Sequence, residues 1–140
     1  MLFPKKTKRR KWQRNRIKPA ARLRPDTRGL TVSFGSHGLK AMSPAEVTSN
    51  QIEAARRAAQ RELGKLGRLW IRIFPDRPRT AKGSEVPMGA GKGELQGYIF
   101  EVHPGRIIFE VDGVSDAVAR EALRKANTKL PISARVVTRV

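Results

Sequence analysis

The chain has 140 residues and carries thirty Lys and Arg against twelve Asp and Glu, a formal net charge of +18. It holds no cysteine, which excludes disulfides, a thiolate nucleophile and a cysteine-liganded zinc site. No run approaches the roughly 20 apolar residues of a helical membrane span, and the length suits one domain with an extension.

The charge is unevenly spread. Residues 1–30 hold twelve basic groups and one acid, Asp26, whereas residues 85–140 are nearly balanced, with eight against seven. Self-repulsion on this scale opposes folding, so a polyanionic partner is expected. Nucleic acid fits, because each phosphate contact releases a condensed counterion.

Met1 to Gly29 reads as a basic, extended arm, residues 1–29, ahead of a globular unit, residues 30–140. Lys5, Lys6, Lys8, Arg9, Arg10, Lys11, Arg14, Arg16, Lys18, Arg22, Arg24 and Arg28 repel one another too strongly for an isolated helix, and Pro4, Pro19 and Pro25 break it further. The arm is either a solvated tail or a segment that orders against phosphates. Trp12 favours the second, since an indole among these charges can stack on a base. The prolines and Trp12 also argue against an amphipathic targeting helix.

Leu30 to Phe34 predicts a short strand, with Gly35-Ser36-His37-Gly38 as its turn and Leu39 to Met42 as its partner. Thr48-Ser49-Asn50-Gln51 predicts a capping box. The helix it opens carries Ile52, Ala55, Ala59 and Leu63 on one narrow face and ends at Gly64 or Gly67. Arg56, Arg57 and Arg61 stand elsewhere on the cylinder, as a solvated face steadied by Glu53 or as an RNA-facing one.

Arg68 to Phe74 predicts the clearest strand. Leu69, Ile71 and Ile73 share one face, and Arg68, Trp70, Arg72 and Phe74 the other. That second face is a stacking and phosphate surface, or else its aromatics lie under another layer with the guanidiniums reaching out. In the first case Arg72→Ala would weaken RNA binding and flatten its salt dependence by about one unit of slope. Prolines and glycines then predict a long loop over residues 75–97, carrying Arg77, Arg79 and Lys82. Tyr98–Val102 and Arg106–Val111 predict a hairpin across His103-Pro104-Gly105. Ser115 is placed to cap a second helix, and Ile132, Ala134 and Val136 alternate as a last strand. The order argues α+β, two helices packed on a mixed or antiparallel sheet.

Met88-Gly89-Ala90-Gly91-Lys92-Gly93 is neither a P-loop nor a dinucleotide fingerprint, because Val86 and Gly93 occupy the positions that need glycine and Ser or Thr. Its glycines at 89, 91 and 93 let backbone amides approach a phosphate, with Lys92 adding charge. His37 and His103 both fall at predicted turns. Glu101 and Glu110, which the hairpin would set across from one another, read as ion-paired. No metal-ligand spacing or catalytic cluster is present, so no enzyme, metal or cofactor is expected.

Several of these segments carry a family likeness. Gln51-Ile52-Glu53-Ala54-Ala55-Arg56-Arg57-Ala58, Leu69-Trp70-Ile71-Arg72-Ile73-Phe74-Pro75-Asp76-Arg77-Pro78 and the Met88–Gly93 segment resemble bacterial large-subunit ribosomal protein sixteen. So do Met1-Leu2-Phe3-Pro4-Lys5, Val32-Ser33-Phe34-Gly35 and Lys129-Leu130-Pro131-Ile132, in order along nearly the whole chain. The resemblance implies a hammerhead-type α+β fold. It also implies a structural protein that binds large-subunit ribosomal RNA near the aminoacyl-tRNA site and the peptidyl-transferase centre. Its partners would be that RNA, tRNA and neighbouring large-subunit proteins, with no membrane and no homo-oligomer, in the cytoplasm of a bacterium rather than an organelle. By the same resemblance the tail threads between RNA helices, the glycine loop reaches inward, and Arg56, Arg57 and Arg61 meet RNA or the tRNA elbow. Several positions depart from the family pattern: Ala90 where lysine is common, Pro87 where arginine often precedes Met-Gly, Leu95-Gln96-Gly97 where an aromatic pair often follows the glycine loop, and a longer, arginine-proline-rich tail around Ile17 to Arg28. A general nucleic-acid-binding or nucleoid protein would share the charge but would not need the glycine loop.

Overall fold

In the computed structural model, residues 1–13 and 23–140 are described. The elements run β1 (His37–Ala41), β2 (Ala45–Thr48), α1 (Ser49–Leu63), β3 (Arg68–Ile71), β4 (Arg77–Ala81), β5 (Glu94–Val102), β6 (Ile107–Asp112), α2 (Asp116–Asn127) and β7 (Ala134–Thr138). They build an α+β fold with two antiparallel sheets where one was expected. The larger is ordered β3-β6-β1-β7 and the smaller β2-β5-β4.

Helix α1 starts as its sequence dictates. The Thr48 hydroxyl accepts from the Gln51 amide at 3.3 Å, and the Gln51 side chain accepts from the Thr48 amide at 2.9 Å. Gly64 closes the helix at φ +66°. Ser115 stands at the N-cap of α2, but its side chain makes no capping bond. The helices pack on each other through small residues, Ala55 and Ala59 from α1 with Ala119, Ala122 and Ala126 from α2 among the buried set. Such short side chains let the helices approach closely over Leu39, Phe109 and Val111 of the larger sheet.

Four expectations are corrected. Leu30–Phe34 is not a strand, and His37 opens β1 instead of lying in a turn. The amides of Ser33, Phe34 and Gly35 point at the Glu110 carboxylate, at 3.0, 2.5 and 2.8 Å, and so are not offered to a neighbouring strand. The strand from Arg68 ends at Ile71, although the Arg72 amide still bonds the Ile108 carbonyl at 2.8 Å. Within residues 75–97, β4 and the start of β5 are ordered strands, leaving 82–93 as the irregular loop. Pro78 misled the sequence reading, but β4 is an edge strand, where a residue without an N–H is tolerated. Finally, β5 and β6 are not a hairpin. They belong to different sheets, so Glu101 and Glu110 do not face each other.

Glu110 is fully buried, and it binds Arg72 as well as the three amides. Burial alone would raise its pKa. The hydrogen bonds from Ser33, Gly35, Phe34 and Arg72 outweigh that and hold the carboxyl below its ordinary 4.5. The close approach depends on Gly35, because a Cβ there would lie 2.5 Å from the Val111 carbonyl oxygen. Residues 29–36 thereby cover the face of the larger sheet opposite the helices. The Gly29 carbonyl accepts from the Ile107 amide at 2.8 Å, and the Ser36 amide donates to Val111 at 3.0 Å.

Glu110→Gln is expected to lower stability at neutral pH by roughly 3 kcal/mol, because it leaves the partly buried Arg72 guanidinium without its counter-charge and weakens three amide bonds. Because the folded-state pKa is depressed, the carboxylate's contribution is fully present above pH 4.5 and is lost as the pH falls towards the folded value. Urea titrations should therefore show a smaller loss of stability below pH 4.5 in the variant than in the parent. A second expectation concerns α1: Thr48→Ala should cost about 1 kcal/mol, read in the same titration.

Candidate nucleic-acid interface

Most described carboxylates hold particular cations. Glu53 takes Arg56 at 2.7 Å and Arg57 at 3.0 Å, and the Arg56 hydrogen bond is the main reason its pKa falls to about 2. Glu101 binds Arg77, Glu62 binds Lys125 at 2.6 Å, and Asp26 lies 3.6 Å from Arg106. Asp116 and Glu121 pair with Arg120 and Arg124 on α2. In contrast, Lys5, Lys6, Lys8, Arg9, Arg24, Arg28, Arg61, Arg68, Arg79, Lys82 and Lys92 have no carboxylate partner among the described residues. Arg14, Arg16, Lys18 and Arg22 lie outside the described residues.

The first part of the arm docks on the smaller sheet. Leu2 packs against the core, and Phe3 meets Tyr98 edge-on at 6.1 Å. Arg10 and Lys11 reach Glu94 at 3.3 and 3.6 Å. Lys11 also donates to the Lys92 carbonyl at 3.4 Å, while the Lys92 ammonium binds the Trp12 carbonyl. The arm and the base of the glycine loop are thus one continuous surface, with Gly93 leading directly into β5. Along the loop, Gly89, Ala90 and Gly91 take φ values of 110°, 55° and 91°. Three successive left-handed residues turn the chain sharply, and only Ala90 bears the steric cost. The Lys82 ammonium binds the Gly89 carbonyl, and the Met88 side chain is fully exposed.

The aromatic face of β3 is half-open. Trp70 stacks on Phe34 at 6.3 Å and 21°, and the Arg72 guanidinium lies 5.0 Å over the Phe34 ring. Phe34 and Phe74 are exposed, as is Arg68. Arg72 differs from its neighbours because its charge is already set against Glu110. On α1, Arg56 and Arg57 share Glu53, and Arg61 is exposed without a carboxylate.

Sequence reasoning passed over one basic pair. Lys40 on β1 stands directly opposite Arg135 on β7, and neither has a carboxylate partner among the described residues. Opposed like charges weaken a sheet unless an anion bridges them. No local pattern announces this pair, because it depends on the register between strands far apart in sequence.

The histidines make no nucleophilic site. His37 is buried, with Nε2 2.6 Å from Asp116 and Nδ1 2.9 Å from the Ser36 hydroxyl. That hydroxyl donates to the Val111 carbonyl at 3.3 Å, so the chain of contacts fastens β1 to the start of α2. No group of three potential metal ligands occurs among the described residues.

Comparison with known proteins shows the family. The sequence model of the family described as ribosomal protein L16p/L10e matches residues 4–137. The large ribosomal subunit protein uL16 of Methylorubrum extorquens is 53% identical over 140 residues, covering 100% of this chain and 98% of the relative. The protein of the same name from Caulobacter vibrioides is 54% identical over 100% of this chain and 94% of its own, and that of Afipia carboxidovorans 52% identical over 100% and 98%. These relatives are ribosomal proteins and not enzymes. With the family pattern matched from Pro4 to Val137 and more than half of all positions shared with such relatives, the chain belongs to the ribosomal protein L16p/L10e family.

Proposed function

We propose that this chain is a structural component of the large ribosomal subunit, in the cytoplasm of a bacterium. It binds large-subunit ribosomal RNA near the aminoacyl-tRNA site and contacts tRNA there, beside neighbouring large-subunit proteins. Family membership supports the subunit assignment. The observation that carries the binding mode is the partition of charge. Acids neutralise the enclosed Arg72, Arg77 and Arg106, and Glu94 holds Arg10 and Lys11 of the docked arm, while Lys5, Lys6, Lys8 and Arg9 of the arm and Lys82 and Lys92 of the loop stay without carboxylates among the described residues. The two-helix, two-sheet body is α+β, and the hammerhead type that the sequence resemblance implies is part of this proposal. The glycine loop is the part nearest in chemistry to a tRNA or RNA backbone, because its left-handed run offers main-chain amides without bulky side chains.

The mechanism is positional and electrostatic. Phosphates of RNA helices meet the continuous surface of the arm and the loop base, and the protein fixes their spacing. A nucleoid-type DNA-compacting protein is the competing reading, and it predicts equal affinity for duplex DNA and ribosomal RNA at physiological salt.

High-salt sucrose-gradient fractionation of source cells should place the chain in the large subunit in stoichiometric amount, with RNA crosslinks to the aminoacyl-tRNA region. Recovery with the nucleoid would overturn the proposal. In solution, Lys8→Ala with Arg9→Ala should flatten the salt dependence of ribosomal RNA binding by about one to two units of slope. Arg72→Ala is a poorer probe, since it also strips the counter-charge from buried Glu110. Glu53→Gln should instead tighten RNA binding and steepen its salt dependence, because it releases Arg56 and Arg57. An unchanged slope would place that face of α1 away from phosphate.

A further inference from the structure

A small cleft lies where the arm crosses the smaller sheet. Trp12, Arg79 and Lys92 meet at it, although the sequence sets Trp12 far from the other two. Pro78, Ala81 and Ile99 give it an apolar base, and its volume is about 220 Å³. That is below the roughly 300–1,000 Å³ of sites that enclose a drug-sized ligand, so it suits one planar ring and not a larger molecule. Trp12 is 45% exposed, so an indole face remains open to a ligand. Arg79 is exposed and has no carboxylate partner among the described residues. Lys92 uses one donor on the Trp12 carbonyl, and an ammonium has three. Arg77 also borders the cleft, but its charge is matched by Glu101, and Glu46 adds an acid on the β2 side. The available positive charge is therefore concentrated on Arg79 and Lys92.

We infer that this cleft is a single-nucleotide site, in which one unstacked RNA base lies on the Trp12 indole and its phosphate sits between Arg79 and Lys92. The inference rests on the RNA-binding reading above and adds to it a defined seat with a stoichiometry of one base. An aromatic wall over an apolar base takes the π-face of a nucleobase. The two cations take the phosphate, one as a planar fork and the other as a point charge. The seat is composite. It exists because Arg10 and Lys11 hold Glu94 and Lys92 holds the Trp12 carbonyl, which together fix the arm over β4 and β5. Base stacking is tolerant of sequence, so the site selects a flipped-out or single-stranded nucleotide over a paired one.

The test uses the full-length chain with two probes, a mixed-sequence single-stranded hexaribonucleotide and large-subunit ribosomal RNA. Trp12→Ala should weaken hexaribonucleotide binding about tenfold while leaving its salt slope unchanged, because an indole carries no charge. Trp12→Phe should keep most of the affinity. Arg79→Ala should lower the slope by about one unit. Ultraviolet crosslinking of the parent followed by peptide mapping should place a nucleotide on Trp12. Hexaribonucleotide affinity unaltered in Trp12→Ala, with ribosomal RNA still bound tightly by the parent, overturns the cleft and leaves the RNA-binding reading standing. Failure of the parent to bind ribosomal RNA overturns both.

Discussion

Glu110 has no exposure to solvent, and its carboxylate accepts from three successive amides while facing the Arg72 guanidinium. A charge so placed is tolerable only when all its partners are present. The requirement ties together the stretch before β1, the middle of β6 and the residue that follows β3, which main-chain bonds and the Phe34 ring contacts also join. The segment over residues 29–36 delivers main-chain groups to that carboxylate and to β6. Gly35 is the steric condition for this arrangement, and the stacked Phe34 and Trp70 are its visible outer surface.

Two of the remaining acids are used in a similar manner, whereas Glu53, Glu94, Asp116 and Glu121 pair with exposed cations. With twelve carboxylates for thirty cations, the chain cannot neutralise itself. Glu101 and Asp26 sit beside arginines whose side chains are largely enclosed, Arg77 and Arg106, where an unpaired guanidinium would be costly. Apart from Arg10 and Lys11, which Glu94 holds, the described solvent-facing cations on the arm and around the loop are left to water or to a polyanion.

The legible parts of the sequence were those set by local chemistry. The capping box at Thr48, the alanine face of α1, the glycine stop at Gly64 and the two-helix α+β class all follow from neighbours within a turn or two. The misread parts depended on distant partners. Leu30–Phe34 has strand-like residues, but its amides are claimed by a glutamate more than seventy positions away. Arg77–Ala81 looked like a loop because of Pro78, yet a sheet edge accepts proline. His103-Pro104-Gly105 has hairpin chemistry but carries the chain from one sheet to the other. For the site, charge density located the arm and glycine spacing located the loop. That these two touch, and that Lys40 faces Arg135, are facts of docking and register that no short window contains.

Strand β5 spans nine residues, Glu94 to Val102, and is the central strand of its sheet, braced by β2 and β4 on either side. At about 3.4 Å per residue it is a beam on the order of 30 Å long. One end is anchored in the core at Val102, which is almost fully buried, and the other carries both the glycine loop and the ion pairs of the arm. The loop is therefore a cantilever on a rigid support. Its tip turns through the left-handed residues 89–91, and its root continues into β5. Assembly then needs only to seat the body correctly, and the reach and direction of the tip follow from the length of one strand.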